Sequence, residues 1–177
     1  MIDQELEDSI IEGMTPEEIA NLMLWREKVK GTNISERTLL ATDYLNHFNE
    51  IVMLIEMVPD MDMMLEECYL WQPKSYQQHF EESGFSDKHL AIAAYDHVPD
   101  KFRRPFEDTI CHMQLVVGAT IQRMAAAIAT GNVDQLRLDC QTSVALIHKI
   151  IQVAIGIIHG SASVMEQEEV DIYLGAS

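Results

Sequence analysis

Residues 133–159 constrain this chain more than any other stretch. Leu136, Cys140, Val144, Ile147, Ile151, Ala154 and Ile158 recur at steps of three and four and line one helical face with apolar side chains. A second stripe, Leu146, Ile150, Val153 and Ile157, covers a neighbouring face. At ~1.5 Å per residue this is roughly 40 Å of helix that has to be packed on more than one side. It is therefore expected as a central helix, inside one monomer or across a subunit interface, with Gly160 as its stop.

The helix before it has a matching seam. Phe106, Ile110, Met113, Val117, Ile121, Met124 and Ile128 follow a spacing close to a heptad, with Pro105 expected in the first turn and Gly131 at the end. Asn132 follows directly, with Gln135 positioned for a capping box, so the two long helices are expected to form an antiparallel hairpin. Upstream, Thr15 caps a helix with Pro16 at its first position and Glu18 three residues after the cap. Its apolar side is Ile19, Leu22, Met23 and Val29, and Gly31 is its stop. Ser35 is expected to cap a helix running to Val58, with Leu40, Tyr44, Phe48, Ile51 and Ile55 on one face. Asp60 is expected to cap a helix over 61–71, and shorter helices are expected over 75–85 and 86–97.

No run of alternating β-branched residues occurs. The expected fold class is all-α, a helical bundle built on the long hairpin, and homodimeric because the second long helix has two apolar faces. The expected organisation is an acidic N-terminal arm or short helix over 1–14, a helical bundle domain over 15–160, and an acidic C-terminal partner-binding tail over 161–177.

With 177 residues, 47% of them hydrophobic, the chain can build one domain with a real core. Its net charge of -17 opposes binding to nucleic acid or anionic membranes by simple electrostatics and favours basic partner surfaces. The 11 methionines suit adaptable packing or a soft contact surface. The N-terminus lacks the basic and apolar segments of a secretory signal. The most apolar helix is interrupted by His148, Lys149 and Gln152, so no membrane span is expected. Cys68, Cys111 and Cys140 form no Cys-x-x-Cys pair; Cys111 and Cys140 fall in apolar helical patterns and are expected as packed thiols in a reducing cytoplasm.

Few residues carry a chemical signature. No Glu is followed three positions later by His, the spacing that di-metal bundles use. The reverse order places His47 with Glu50 and His79 with Glu82 on shared helical faces, weak candidates for a transition metal. His97 and Asp100 have the same spacing, interrupted by Pro99. Asp43 and Asn46 share the polar side of the expected second helix with Glu50 and could orient a water for phosphoryl hydrolysis. Nucleophile, phosphate-loop and zinc patterns are absent, and nothing in the sequence calls for a cofactor.

The C-terminal stretch is more specific. Ser163 and Glu166 make a capping box, and Val170, Tyr173 and Leu174 could align on one side of a short helix carrying Glu168, Glu169 and Asp171. Such a peptide suits helix-in-groove docking, although a terminal helix folded onto its own bundle fits the pattern equally. Met165-Glu-Gln-Glu-Glu-Val-Asp-Ile-Tyr-Leu-Gly175 resembles the N-terminal peptide of the FliM flagellar switch family and, more loosely, the C-terminal peptide of the CheZ chemotaxis phosphatases. Gln167, Glu169, Val170, Asp171 and Leu174 match the FliM pattern; Glu166 replaces its usual serine and Tyr173 an apolar residue. The match spans about ten residues of the 177.

In both families this peptide docks on the phosphorylated receiver CheY. The resemblance therefore implies a CheY-like receiver as partner and Gln167, Glu168, Glu169, Val170, Asp171, Tyr173 and Leu174 as the binding residues. A hairpin followed by a tethered peptide is also similar to the CheZ layout, and Asp139-Cys140-Gln141 with Lys149 resembles the frame of its catalytic stretch. Thr142 and Leu146 stand where that family has its catalytic acid and glutamine, which leaves Asp43 and Asn46 as the catalytic candidates if docking is coupled to dephosphorylation. The expected function is a cytoplasmic regulatory protein that binds a CheY-like receiver through its C-terminal peptide. The alternatives are an acidic helical adaptor or inhibitor unrelated to chemotaxis, and a metal-binding bundle that uses the His and carboxylate pairs.

Overall fold

A helix that is apolar on two faces ends by exposing carbonyls that need partners, and those at the end of residues 133–159 are met by the chain itself. In the computed structural model, which describes residues 2–161, Gly160 takes φ 103° and closes the helix. Its N–H donates to Ile157 O at 2.9 Å and the N–H of Ser161 donates to Gly156 O at 2.8 Å. This 5→2 and 6→1 pair is a Schellman cap. Two further carbonyls are taken by the loop after the second helix: Thr38 Oγ1 donates to Ile158 O at 2.6 Å and the Arg37 guanidinium to His159 O at 3.4 Å.

Among the described residues the protein is all-α. Its eight helices are α1 (Ile2–Ile11), α2 (Pro16–Val29), α3 (Asn46–Met57), α4 (Met64–Leu70), α5 (Tyr76–Glu82), α6 (Lys88–Tyr95), α7 (Asp100–Ala129) and α8 (Val133–Ile158). A 3-10 turn over Thr42–Leu45 precedes α3. The chain divides into two compact units, one of residues 2–44, 75–106 and 155–161, the other of 45–74 and 107–154.

The first unit is held by aromatic packing around Tyr76. Its ring stacks on Tyr95 at 4.6 Å between centroids and meets Phe80 at 4.8 Å and Tyr44 at 5.4 Å. Burial pushes the Tyr76 hydroxyl well above the usual phenol range, and the oxygen accepts the Ala41 N–H at 2.8 Å. Helix α1 is docked rather than a loose arm: Ile10 is buried, Glu7 pairs with Arg26, and Lys101 Nζ donates to Ser9 O and Glu12 O at 2.8 and 2.9 Å, close to the α1 C-terminus. The start of α2 follows the expected capping box, with Glu18 N–H on Thr15 Oγ1 and Thr15 N–H on Glu18 Oε2. Met23, expected on its apolar side, is exposed.

Residues 35–45 are not α-helical. Leu39 sits at φ 67°, Leu39 N–H donates to Ser35 O and Ser35 N–H to Leu40 O at 2.8 Å, and Ile34 bridges Ala41 in antiparallel fashion. The left-handed residue breaks any helix, and its strain is offset by burying Leu39, Leu40 and Ala41 completely. Helix α4 starts later than expected, at Met64, and Asp60 accepts from Arg137 at 2.8 Å. Helix α7 starts five residues before Pro105. Pro99 O accepts from Phe102 and Arg103, while Asp100 accepts from both Arg103 and Arg104, which hold its carboxyl below its usual range. With Phe102 and Phe106 buried one turn apart, the start of the helix tolerates the donor that Pro105 lacks.

The second unit carries most of both seams. Ile110, Met113, Val117, Ile121 and Met124 of α7 are buried, as are Leu136, Cys140, Ile147 and Ile151 of α8. Ile150, from the second stripe of α8, has no exposed surface, and neither has Ile157 in the first unit. Helix α8 is long and apolar enough by composition to cross a membrane, and Ile150 and Ile157 are covered within the single chain.

Between the long helices, Gly131 at φ 66° donates to Ile128 O and Asn132 N–H to Ala127 O, a second Schellman cap. Asn132 Oδ1 then accepts the Gln135 N–H and starts α8; Gln135 turns its own side chain to Asp139 rather than back to the cap. A Cβ at Gly131 would meet nothing within 4 Å, so Gly131→Ala costs only backbone strain. Its unfolding free energy in a urea titration should fall by about 1 kcal/mol. Gly84→Ala, equally open but with no positive φ, should stay near the wild type; equal losses would contradict this assignment.

Candidate functional site

The second unit presents an open groove of about 420 Å3 between the C-terminal end of α3 and the first half of α8. Glu56, Pro59, Asp60, Arg137, Cys140, Gln141, Val144 and Ala145 line it. Pro59 explains why it forms there. Proline has no N–H to give to Ile55 O, so α3 ends, and the orphaned carbonyl accepts instead from Val58 N–H at 3.2 Å and from the Cys140 thiol at 3.3 Å. This contact holds α8 against the end of α3, and the smaller Val144 and Ala145 leave space beside it.

Arg137 closes one side of the groove by donating to Asp60 Oδ1 at 2.8 Å. Beyond that pair lies a second hollow of about 260 Å3, lined by Pro59, Asp60, Asp62, Ala127, Ile128, Gly131, Asn132, Val133 and Leu136. Both hollows share Pro59 and Asp60. Four exposed methionines lie within a few residues of these lining positions in the chain. Met53 is 64% exposed and Met63 70%, and Met57 and Met61 are also exposed. Met53, Glu56 and Met57 lie three and four residues apart on α3 and so share one face. Leu138, on α8 beside Arg137, is 56% exposed.

The predicted metal pairs serve packing. His47 is 1% exposed and its ring stacks on Trp71 at 4.6 Å. Its Nε2 accepts the Lys74 N–H at 3.1 Å, and the Trp71 indole N–H donates to His47 O at 3.2 Å. The neutral ring therefore carries its proton on Nδ1, 3.9 Å from a Glu50 carboxylate oxygen. The histidine fastens the segment after α4 to α3. His79 packs edge-on to Tyr44 and Phe80, at 5.6 and 5.2 Å between centroids, and Glu82 is exposed. His97 stacks on Trp25 at 4.2 Å and its Nδ1 meets Asn21 Oδ1 at 3.2 Å, while Asp100 is engaged by its two arginines. No cluster of three or more His, Cys, Asp or Glu side chains suited to a metal occurs among the described residues.

The catalytic candidates do not share one helix. Asp43, half-buried, lies in the 3-10 turn, and Asn46, exposed, opens α3 and accepts from Asn49 at 3.4 Å. Thr142 is exposed and Leu146 half-buried on α8. The partner-binding candidates Gln167, Glu168, Glu169, Val170, Asp171, Tyr173 and Leu174 lie outside the described residues. What sequence reasoning missed is the groove. Its one signal is the methionine-rich composition, with Met53, Met57 and Met61 at four-residue steps.

Comparison with known proteins finds no matching family model, and no curated protein or solved structure with significant similarity.

The thiols provide a direct check on this geometry. Cys111, expected to be packed, is exposed, because the seam of α7 runs through its neighbours Ile110 and Met113. Cys68 and Cys140 are buried, and burial pushes Cys68 up to about 11. At pH 8 the Cys68 thiolate is then only about one molecule in a thousand. A disulfide reagent at that pH should label one thiol quickly and the other two only on unfolding; rapid labelling of all three would contradict the packing. Zinc supplies a second check. Since His47 Nε2 is occupied and buried, added Zn2+ should leave the thermal midpoint unchanged, and a rise of several degrees lost in His47→Phe would restore the metal reading.

Proposed function

We propose that this chain is a cytoplasmic regulatory binding protein whose C-terminal stretch engages a CheY-like receiver domain. The observation that carries the proposal is the match at Gln167, Glu169, Val170, Asp171 and Leu174. The end of α8 supports it. With Gly160 in a closed cap and Ile158 and His159 bonded to Thr38 and Arg37, that end of the helix is fixed by contacts within residues 2–161. A peptide continued from a fixed point raises the local concentration of any second contact, so weak docking suffices for regulation.

The same reading includes the antiparallel hairpin of α7 and α8, since three residues, with one Schellman cap and the Asn132 side-chain cap, join them. It also includes a homodimer, now with a narrower basis. The second stripe of α8 that called for a subunit is largely covered in the single chain, which leaves Leu115 and Leu138 as the exposed leucines of the two long helices.

Deleting residues 162–177 keeps every hydrogen bond of the Gly160 cap, so helicity and thermal unfolding should stay as in the full chain. Affinity for a phosphorylated receiver should fall at least tenfold, and Leu174→Ala alone should weaken it by about 2 kcal/mol, roughly thirtyfold. Undiminished binding by the deletion sinks the proposal. In the same assay, Asn46→Ala separates binding from turnover: slower receiver dephosphorylation at unchanged affinity assigns Asn46 a catalytic role, and unchanged turnover removes it.

A further inference from the structure

We infer that the groove beside the α3 C-terminus docks a basic amphipathic helix from a partner protein, with apolar anchors set into the groove and cations against its carboxylates. This stands apart from the receiver reading, because it uses none of the residues on which that reading rests.

Three observations converge on that occupant. The groove takes apolar lining from Pro59, Val144 and Ala145 and is about 420 Å3 in volume. A cavity of roughly 150 Å3 holds one benzene-sized group, so the space suits two or three apolar side chains. Exposed methionines stand close by in the chain: Met53 and Met57 share a face of α3 with the lining residue Glu56, Met61 and Met63 adjoin Asp62, and flexible thioethers re-pack around an incoming helix. Its charge is negative. Glu56, Asp60 and Asp62 line the two hollows, and the cation that faces them there, Arg137, is already bonded to Asp60.

Shape and charge together select the partner. A channel between two helices accepts a third helix through anchors at i, i+3, i+4 and i+7, whereas an added strand needs an open sheet edge. Positive residues flanking those anchors would meet Glu56 and Asp62. The same charge disfavours the two occupants closest at hand. A second copy seated by the same face would set Glu56 and Asp62 against their own counterparts. The chain's own segment with Glu166, Glu168, Glu169 and Asp171 is acidic as well.

The test uses the full chain and a fluorescein-labelled synthetic peptide of about 18 residues, leucine on one helical face and lysine on the other. Anisotropy should report one-to-one binding that weakens as salt rises. A scrambled peptide of the same composition should bind at least tenfold more weakly. Met53→Gln with Met57→Gln should reduce affinity at least tenfold, and Glu56→Gln with Asp62→Asn should reduce it and flatten the salt dependence. All four positions are exposed, so circular dichroism and the unfolding midpoint should stay at wild-type values. Met23→Gln with Leu24→Gln, exposed on α2 in the other unit, is the control and should change nothing. Equal binding of the scrambled peptide, an equal loss in the control variant, or no loss in the methionine variant would overturn the inference. So would equally tight binding of a leucine and glutamate peptide. Light scattering in which the methionine variant turns a dimer into a monomer would assign the face to a second copy and overturn it too.

Discussion

The burial of α8 is the constraint on which the rest of the structure depends. Ile147, Ile150 and Ile157 have no exposed surface, and with Ile151 they spread the buried arc over roughly 120° of the helix. Each such side chain contributes about 1.5–3 kcal/mol when removed from water, more than any single cap or surface ion pair in the protein. A helix loaded in this way is driven inward on that face, and Ile157 and Ile158 of its last turn are buried too. There the backbone dictates the next step. A buried carbonyl left without a donor costs about 1–3 kcal/mol, and Ile158 O escapes that cost through the hydroxyl of Thr38, 120 residues earlier in the chain. The loop over residues 32–45 takes its shape from this demand and from the three buried residues Leu39, Leu40 and Ala41.

That loop also marks the limit of what periodicity reveals. Leu40, Tyr44, Phe48, Ile51 and Ile55 are all buried, as their spacing predicts, yet only the last three lie on α3. Apolar spacing reports which residues face a core; it does not fix the backbone that brings them there. A left-handed Leu39 delivers the first two by another route, and a leucine at positive φ has no sequence signature. Local signals are legible where they act locally. Thr15 with Pro16 and Glu18, Ser75 before α5, and Asn132 with Gly131 all lie where the sequence places a helix end. Pro105 misleads because its neighbours Phe102 and Phe106 stabilise the helix around it through tertiary burial.

The candidate sites divide in the same way. His47 and Glu50 do lie one helical turn apart, as read from the sequence. What decides the role of the imidazole is the N–H of Lys74, 27 residues away, together with a stacked indole, and neither is visible in a local pattern. Asp43 and Asn46 lose their shared helix to the 3-10 turn. The groove depends on Pro59 ending α3 opposite Cys140, 81 positions further on, and so it exists only once the chain has folded.

Stability and surface character are then separable in this protein. Among the described residues the pairs Lys30–Glu27, Arg104–Asp100 and Arg137–Asp60 are exposed and contribute little, while apolar burial carries the fold, so the surface can hold a large negative charge at modest cost to the core. A run of exposed methionines beside an open groove is ordinarily an aggregation hazard, since two copies could bury it against each other. Glu56 and Asp62 at the hollows oppose a second copy on that face and attract a cationic partner there. The same electrostatic field that lets the chain carry an apolar patch in water therefore also sets the sign of the surface that the patch can accept.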